Sequence, residues 1–550
     1  MKYRHQNTKS ILLGILLFHF FLDFPFRDWG SYFPAFLFFR NGFFSIQTCF
    51  LVIFFFSALK ISHQSFSYKL TFSILLLHWF FLLLYQNRFQ TNISWDLYLY
   101  FINNSKILFP NLFEYVKYFW SLLLGVLSFP ILLVWLRQGS SLPRLGFFFV
   151  FSMYAFSIIL SFQNGGQMIS EGNPLDTSFR SDHRKNPKSA ADPIRSSSKT
   201  PNIVIFMLEG VSRNEILSFQ SKYFQTRDLQ GCHFWIPIPH SAKSIVSFLT
   251  SESQLNSANV ITNEIDQTKI LPLRLRSLGY KTSFLYSQNS HLEGLDFFLS
   301  RSFSNVVDAN NLRSLYEGKF ESFSWGMDDE VILEYLQDNS YQFTPPFFIF
   351  IGLSQTHHPY FSKNETIHDP KMRYKAAIRE SIETIDRIAQ WLLKEKGEDI
   401  LFILTSDHGE SFGEQGDWGH NYSVYNHQTD VPFQVYFPWT DQTWTPKLGT
   451  SLEFSNWIQA YLSGDNLQSF ASQEFELTLQ QSTWNSNRQR ALVLGKIKYI
   501  YHADRDLLLR MNLDETNQKQ ITNQIEKRQI LQRIFETNKH KNQEKVQNVR

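Results

Sequence analysis

Asp399-Ile-Leu-Phe-Ile-Leu-Thr-Ser-Asp-His-Gly-Glu-Ser411 is the stretch from which the fold can be read. An apolar run from Ile400 to Leu404, closed by small polar residues, reads as a buried parallel strand delivering a carboxylate and an imidazole to its C-terminal end. Open α/β sheets place their ligand sites at that end. Adjacent Asp407 and His408, with Gly409 behind them to let the chain turn sharply, point to a metal ion. An ordinary turn after a strand is the plain alternative.

The same pattern recurs upstream. Ile203-Val-Ile-Phe-Met-Leu208 ends in Glu209-Gly210, and Thr282–Tyr286 and Phe347–Ile351 are further strand candidates. Between the last of these and the Ile400 run, Tyr374, Ile378, Ile382, Ile385, Ile388 and Leu392 recur at helical spacing. Strand, helix, strand in alternation predicts an α/β sandwich with a mostly parallel sheet. Pro239-His-Ser-Ala-Lys-Ser244 leads into the apolar Ile245–Thr250, which sets a hydroxyl at or just before a helix N-terminus. The free N–H groups and dipole there favour an anion such as phosphate and ease formation of a seryl alkoxide. A simple N-cap role for Ser241 is the competing reading.

The first 165 residues have another character, crowded with phenylalanine and leucine. Apolar segments near 10–26, 41–59, 70–86, 112–136 and 145–162 each approach the roughly 20 residues that span a bilayer. They predict an α-helical membrane domain of about five transmembrane helices over 1–163, anchored rather than cleaved. Lys2, Arg4, Lys9, Lys60, Lys69, Arg137 and Arg144 place the N-terminus in the cytoplasm and so the remainder outside, although Arg27, Arg88 and Lys106 oppose that bias. Residues 164–200 read as a linker, with Gly165-Gly166, Asn173-Pro174 and Asn186-Pro187. A net charge of +3 over 550 residues gives no sign of nucleic-acid binding. Two cysteines, Cys49 and Cys232, exclude a disulfide framework and a cysteine-type zinc site. After residue 514 the chain turns polar, with Ile521, Ile525, Ile530, Ile534 and Phe535 at roughly helical intervals; this predicts an amphipathic helix and then a disordered tail from Asn538.

Taken in order, Leu208-Glu209-Gly210, His240-Ser241-Ala-Lys243, Thr356-His357-His358-Pro359-Tyr360, Ser406-Asp407-His408-Gly409-Glu410 and Gly419-His420 resemble the alkaline phosphatase and sulfatase superfamily. Within it the chain is most similar to the membrane-anchored lipoteichoic acid synthase and phosphoethanolamine transferase branch, whose layout of about five spans and an extracytoplasmic α/β domain it shares. The resemblance covers the soluble region, with a catalytic domain expected over 201–513 and a polar C-terminal helix and tail over 514–550. It implies that Glu209, Asp407 and His408 hold one divalent metal, with Ser241 as nucleophile and further ligand. Lys243, His357 and His420 would bind substrate, and Ser244 is the second choice of nucleophile. Trp325-Gly326 with Asp328 and Asp329 resembles a family motif without an assigned role, and His291 and His427 are unplaced.

Two carboxylates, one imidazole and a seryl oxygen suit Zn²⁺ or Mn²⁺, and Mg²⁺ less well because of the histidine. Ser241-Ala-Lys-Ser-Ile245 lacks the proline and arginine that formylglycine sulfatases need, and Gly210 stands where a two-metal phosphatase would need a second acid. The resulting expectation is an integral protein of the bacterial cytoplasmic membrane. It would move a phosphoglycerol or phosphoethanolamine head group from a lipid donor to an envelope glycan or lipid through a phospho-serine. An extracytoplasmic hydrolase of the sulfatase-like kind is the alternative, and a non-catalytic envelope scaffold is a third reading.

Overall fold

The computed structural model describes residues 200–536, apart from 254–264, 324, 365, 417, 465–474, 482–488 and 504. The five expected spans, the linker up to residue 199 and the tail from 537 lie outside the described residues. Among the described residues no helix is long and apolar enough to cross a membrane.

The strands are β1 (Asn202–Leu208), β2 (His233–Trp235), β3 (Lys281–Tyr286), β4 (Asn305–Val307), β5 (Phe347–Leu353), β6 (Ile400–Ser406), β7 (Ser411–Phe412), β8 (Trp418–Gly419), β9 (Phe433–Phe437), β10 (Gln442–Trp444) and β11 (Leu448–Thr450). Seven of them form the main sheet in the order β10-β9-β6-β1-β5-β3-β4. The pairings from β6 through β4 are parallel, whereas β9 joins β6 antiparallel and β10 joins β9 antiparallel. The expected mostly parallel α/β sheet is therefore present, with an antiparallel edge that the apolar runs do not announce.

Both faces of the sheet are covered, which is why its central strands run apolar without alternation from Ile203 to Leu208, Phe347 to Ile351 and Ile400 to Leu404. From β1, Ile203, Ile205 and Met207 pack into one core with α1 (Ser241–Thr250), α2 (Leu271–Ser277) and α5 (Ser451–Leu462). Val204, Phe206 and Leu208 pack into the other, against α3 (Glu330–Asp338) and α4 (Pro370–Lys396). The long helix α4 begins where Asp369 accepts from Met372 N–H at 2.8 Å, with Pro370 in its first turn, and ends at Gly397, whose φ of 85° suits glycine. Tyr374, Ile378, Ile382, Ile385, Ile388 and Leu392, picked out by their spacing, are all buried along its inner face.

A second sheet follows, wholly antiparallel: β12 (Glu476–Gln480), β13 (Gln489–Leu494), β14 (Ile497–His502), β15 (Leu507–Asn512) and β16 (Lys519–Gln520). One face packs Leu477, Leu479, Ala491, Val493 and Ile500 against Trp235, Val424 and Leu452. The other packs Leu492, Tyr499 and Leu508 against Ile530 and Ile534 of α6 (Gln524–Glu536), the helix expected at the C-terminus. Ile525, counted on that helix's apolar face, is instead 72% exposed.

Candidate active site

The site lies where parallel strands β1 and β6 end side by side, Leu208 opposite Ser406. Glu209 follows β1, and Asp407 and His408 follow β6; all three are buried. Neighbouring backbone holds the turn closed, because Asp407 Oδ1 accepts from Gly210 N–H at 2.9 Å and from His408 N–H at 2.7 Å. Gly409, read from the sequence as letting the chain turn sharply, is not among the glycines with positive φ. A Cβ there would sit 2.1 Å from the carbonyl oxygen of His427, so the glycine is required by close backbone approach. Its own N–H donates to Gln428 O at 2.9 Å.

Around His408 Nε2 the polar atoms converge. Glu209 Oε1 is 3.2 Å away, Asp407 Oδ2 3.5 Å and Ser241 Oγ 3.1 Å. Ser241 Oγ also donates to Glu209 Oε1 at 2.9 Å. His408 Nδ1 lies 3.0 Å from Gly409 O; donation there would leave the Nε2 lone pair for a metal when the ring binds one in its neutral form. Burial and the charge of Glu209 push the Asp407 carboxyl well above its usual range. Burial acts on Glu209 in the same direction, but the hydrogen bond and charge of His408 outweigh it and hold Glu209 low. Two buried carboxylates in mutual repulsion, an imidazole and a hydroxyl, with one ligand atom from each of Glu209, Asp407 and His408 mutually within 4.8 Å, form a donor set that fits one divalent cation.

Ser241 is the first residue of α1, with His240 as its N-cap, so the hydroxyl is turned to the carboxylates rather than capping its own helix. Ser244, the second candidate nucleophile, points elsewhere: its hydroxyl donates to Ile238 O at 3.2 Å. Lys243 is buried in the same turn, near enough to His240 for its charge to act on that ring.

The two downstream histidines complete the group. His357 Nδ1 is 2.8 Å from His358 O, and its ring lies 5.8 Å from that of His420 and 5.1 Å from Trp325. His420 stacks on His408 with centroids 4.0 Å apart. It is brought there by the β7–β8 hairpin, in which Ser411 faces Gly419, so that Glu410 and His420 flank the pairing. Glu410, quoted in the motif but given no role, accepts from Tyr360 O–H at 3.0 Å and lies 2.8 Å from His420 Nδ1. Burial lowers the affinity of both histidines for a proton. At His357 burial prevails and the pKa falls, whereas at His420 the Glu410 pairing prevails and the pKa rises.

Asp329 is buried and accepts from Ser287 and Ser381 hydroxyls at 2.7 and 2.8 Å, while a Cβ at Gly326 would meet Ser354 Oγ at 2.3 Å. His291 is exposed, 3.6 Å from Asp308, and His427 is half-buried in stacking contact with Tyr425.

Residues 201–461 match the family model described as sulfatase. Among solved structures, the chain is similar to a protein of the alkaline phosphatase superfamily from Vibrio parahaemolyticus, at 15% identity and a TM-score of 0.48 over 70% of this chain and 96% of that one. It is also similar to the lipoteichoic acid synthase LtaP from Listeria monocytogenes, at 16% identity and a TM-score of 0.45 over 62% and 90%. A 2-O GAG sulfatase follows at 11% identity and 0.41 over 60% and 89%. No curated protein matches the chain significantly.

Proposed function

We propose that this chain, whose residues 201–461 match the sulfatase family model, is a membrane-anchored, metal-dependent transferase. It moves a phosphorylated head group from a lipid donor to an envelope glycan or lipid. The observation that carries the reading is the placement of Ser241 Oγ, 2.9 Å from Glu209 Oε1 and 3.1 Å from His408 Nε2, at the first turn of a helix. A hydroxyl so placed is a nucleophile for phosphorus, and the helix N-terminus suits the phosphoryl oxygens. The membrane anchor rests on the apolar segments of residues 1–163.

Glu209, Asp407, His408 and Ser241 would hold the metal. When bound, it favours the alkoxide and offsets charge on phosphoryl oxygens. Ser241 Oγ forms a bond to phosphorus as the bond from phosphorus to the diacylglycerol oxygen breaks, and that oxygen takes a proton from His420. Glu410 favours the protonated imidazole needed for this step. The acceptor hydroxyl oxygen then attacks phosphorus as the bond from phosphorus to Ser241 Oγ breaks; the acceptor's proton returns to the same ring and Ser241 leaves as the alkoxide with which the cycle began. His357, held through its Nδ1, presents its other nitrogen to the phosphoryl group. The absence of Pro and Arg after Ser241 argues against formylglycine sulfatase chemistry.

The test is the fate of the head group. Full-length protein in vesicles of phosphatidylethanolamine or phosphatidylglycerol, given Mn²⁺ or Zn²⁺, is expected to pass labelled head group to an added glycan or lipid acceptor faster than to water. Release to water alone would mark a hydrolase.

A further inference from the structure

The residue immediately before Ser241 meets a carboxylate that the mechanism does not use. His240 Nε2 is 2.9 Å from Oε1 of Glu293, whose side chain has no solvent exposure. Neither oxygen of Glu293 accepts a hydrogen bond of good geometry among the described residues. By contrast, Glu410 has Tyr360 and His420, and Asp430 has Arg213 and His233. A carboxylate offers about four acceptor positions, and one imidazole N–H engages at most one of them. Leaving the rest unmet in a dry place is unfavourable unless a donor arrives.

Glu293 is held there at some conformational cost. Its φ is 59°, in the left-handed region that side chains other than glycine seldom adopt. Strain of this kind persists where the surroundings demand a particular side-chain position. Its charge also acts on His420, so it lies on the side of His240 that belongs to the site. Metal ligation is a poor explanation, because Glu293 belongs to none of the groups of three or more convergent ligand atoms among the described residues. Full burial is no bar to a ligand role, since Glu209 and His408 are as thoroughly covered.

We propose that Glu293, with His240 beside it, forms an acceptor-rich subsite that receives the hydrogen-bond donor at the far end of the transferred head group, an ammonium or a hydroxyl. This rests on the transferase reading above and makes it specific: the phosphoryl group sits at Ser241 and the head group's polar end turns toward Glu293. A buried acceptor discriminates strongly against an analogue that lacks the donor, because the acceptor is then left unmet.

Binding tests this separately from transfer. Full-length protein in detergent, loaded with Mn²⁺, is titrated with phosphoethanolamine, glycerol phosphate and ethyl phosphate, the last matching in size but carrying no donor. The expected result is at least tenfold tighter binding of one donor-bearing ligand over ethyl phosphate, with the favoured one identifying ammonium or hydroxyl. In Glu293→Gln the ratio should collapse toward one while bound Mn²⁺ per chain is unchanged. Equal affinities in the unaltered protein would overturn the proposal without any variant being made. A preserved ratio in Glu293→Gln, or loss of a bound metal ion from it, would overturn it too. Failure of the transferase reading would show differently, as absence of an adduct on Ser241 whatever the binding ratio.

Discussion

Glu410 Oε2 stands 2.8 Å from His420 Nδ1, although ten positions of chain separate the two residues. The β7–β8 hairpin makes the meeting, and its consequence is electrostatic: the carboxylate favours the imidazolium against the effect of burial.

Removing His420 (His420→Ala) should cut head-group transfer by about 10²–10⁴-fold, the usual contribution of a general acid or base. Glu410→Gln should act through pH. With His420 raised by Glu410, activity that needs its proton persists to higher pH and is lost as pH rises through the folded pKa; without the carboxylate that pKa falls. The alkaline limb of kcat/KM is therefore expected to move to lower pH in Glu410→Gln, as a pH–rate profile would record. An unmoved limb would take the proton-donor role from His420.

Gly409→Ala should disable the site without touching a ligand. The added methyl group would meet the backbone carbonyl oxygen of His427 at 2.1 Å, so the backbone of the Asp407–His408 turn or of His427 must shift. Weaker metal binding, by about tenfold or more on the scale of disturbed supporting contacts, is expected in a metal titration. Retained affinity would mean the turn tolerates displacement.

Asp430 ties the β2 region to the chain after β6. It lies 2.9 Å from Arg213 Nε and 2.7 Å from His233 Nδ1, and accepts from Phe234 N–H at 3.1 Å. Asp430→Ala leaves a buried guanidinium without its main partner, and a loss of about 3–5 kcal/mol in denaturant unfolding is expected. A change below 1 kcal/mol, roughly the value of an exposed pair, would show that water reaches Arg213.

Acid should destabilise the domain through His427. Burial holds its pKa down to about 4, against 6.5 for the free side chain. Between those values the unfolded chain takes the proton and the folded one does not, so stability falls as pH drops, by up to about 3 kcal/mol near pH 4. His427→Asn should flatten that part of the stability–pH curve measured with urea. Parallel curves for the two proteins would place the acid sensitivity elsewhere.

Much of this arrangement can be read from residue order. All-apolar runs mark strands covered on both faces, and the ends of those runs name Glu209, Asp407 and His408, because a parallel sheet collects its strand ends at one edge. What stays hidden depends on contacts distant in sequence. Glu293 lies well past the end of β3, within a short 3-10 turn, and belongs to no motif; only the fold sets it against His240. Glu410 is visible in the motif, but its role depends on a two-residue hairpin too short to leave a periodic signal. The antiparallel pair β9–β10 is likewise unmarked, since Phe433–Phe437 would read the same in either direction. Ser244 is separated from Ser241 by which way each hydroxyl points around one helical turn.

The central claim is that Ser241 carries the transferred group at a metal site. Intact mass and metal content of the full-length protein, after incubation with phosphatidylethanolamine or phosphatidylglycerol, address both halves together. One divalent ion per chain and an added mass equal to one phosphorylated head group, absent in Ser241→Ala, are expected. A metal-loaded protein that turns over either lipid equally well with alanine at position 241 would contradict the account.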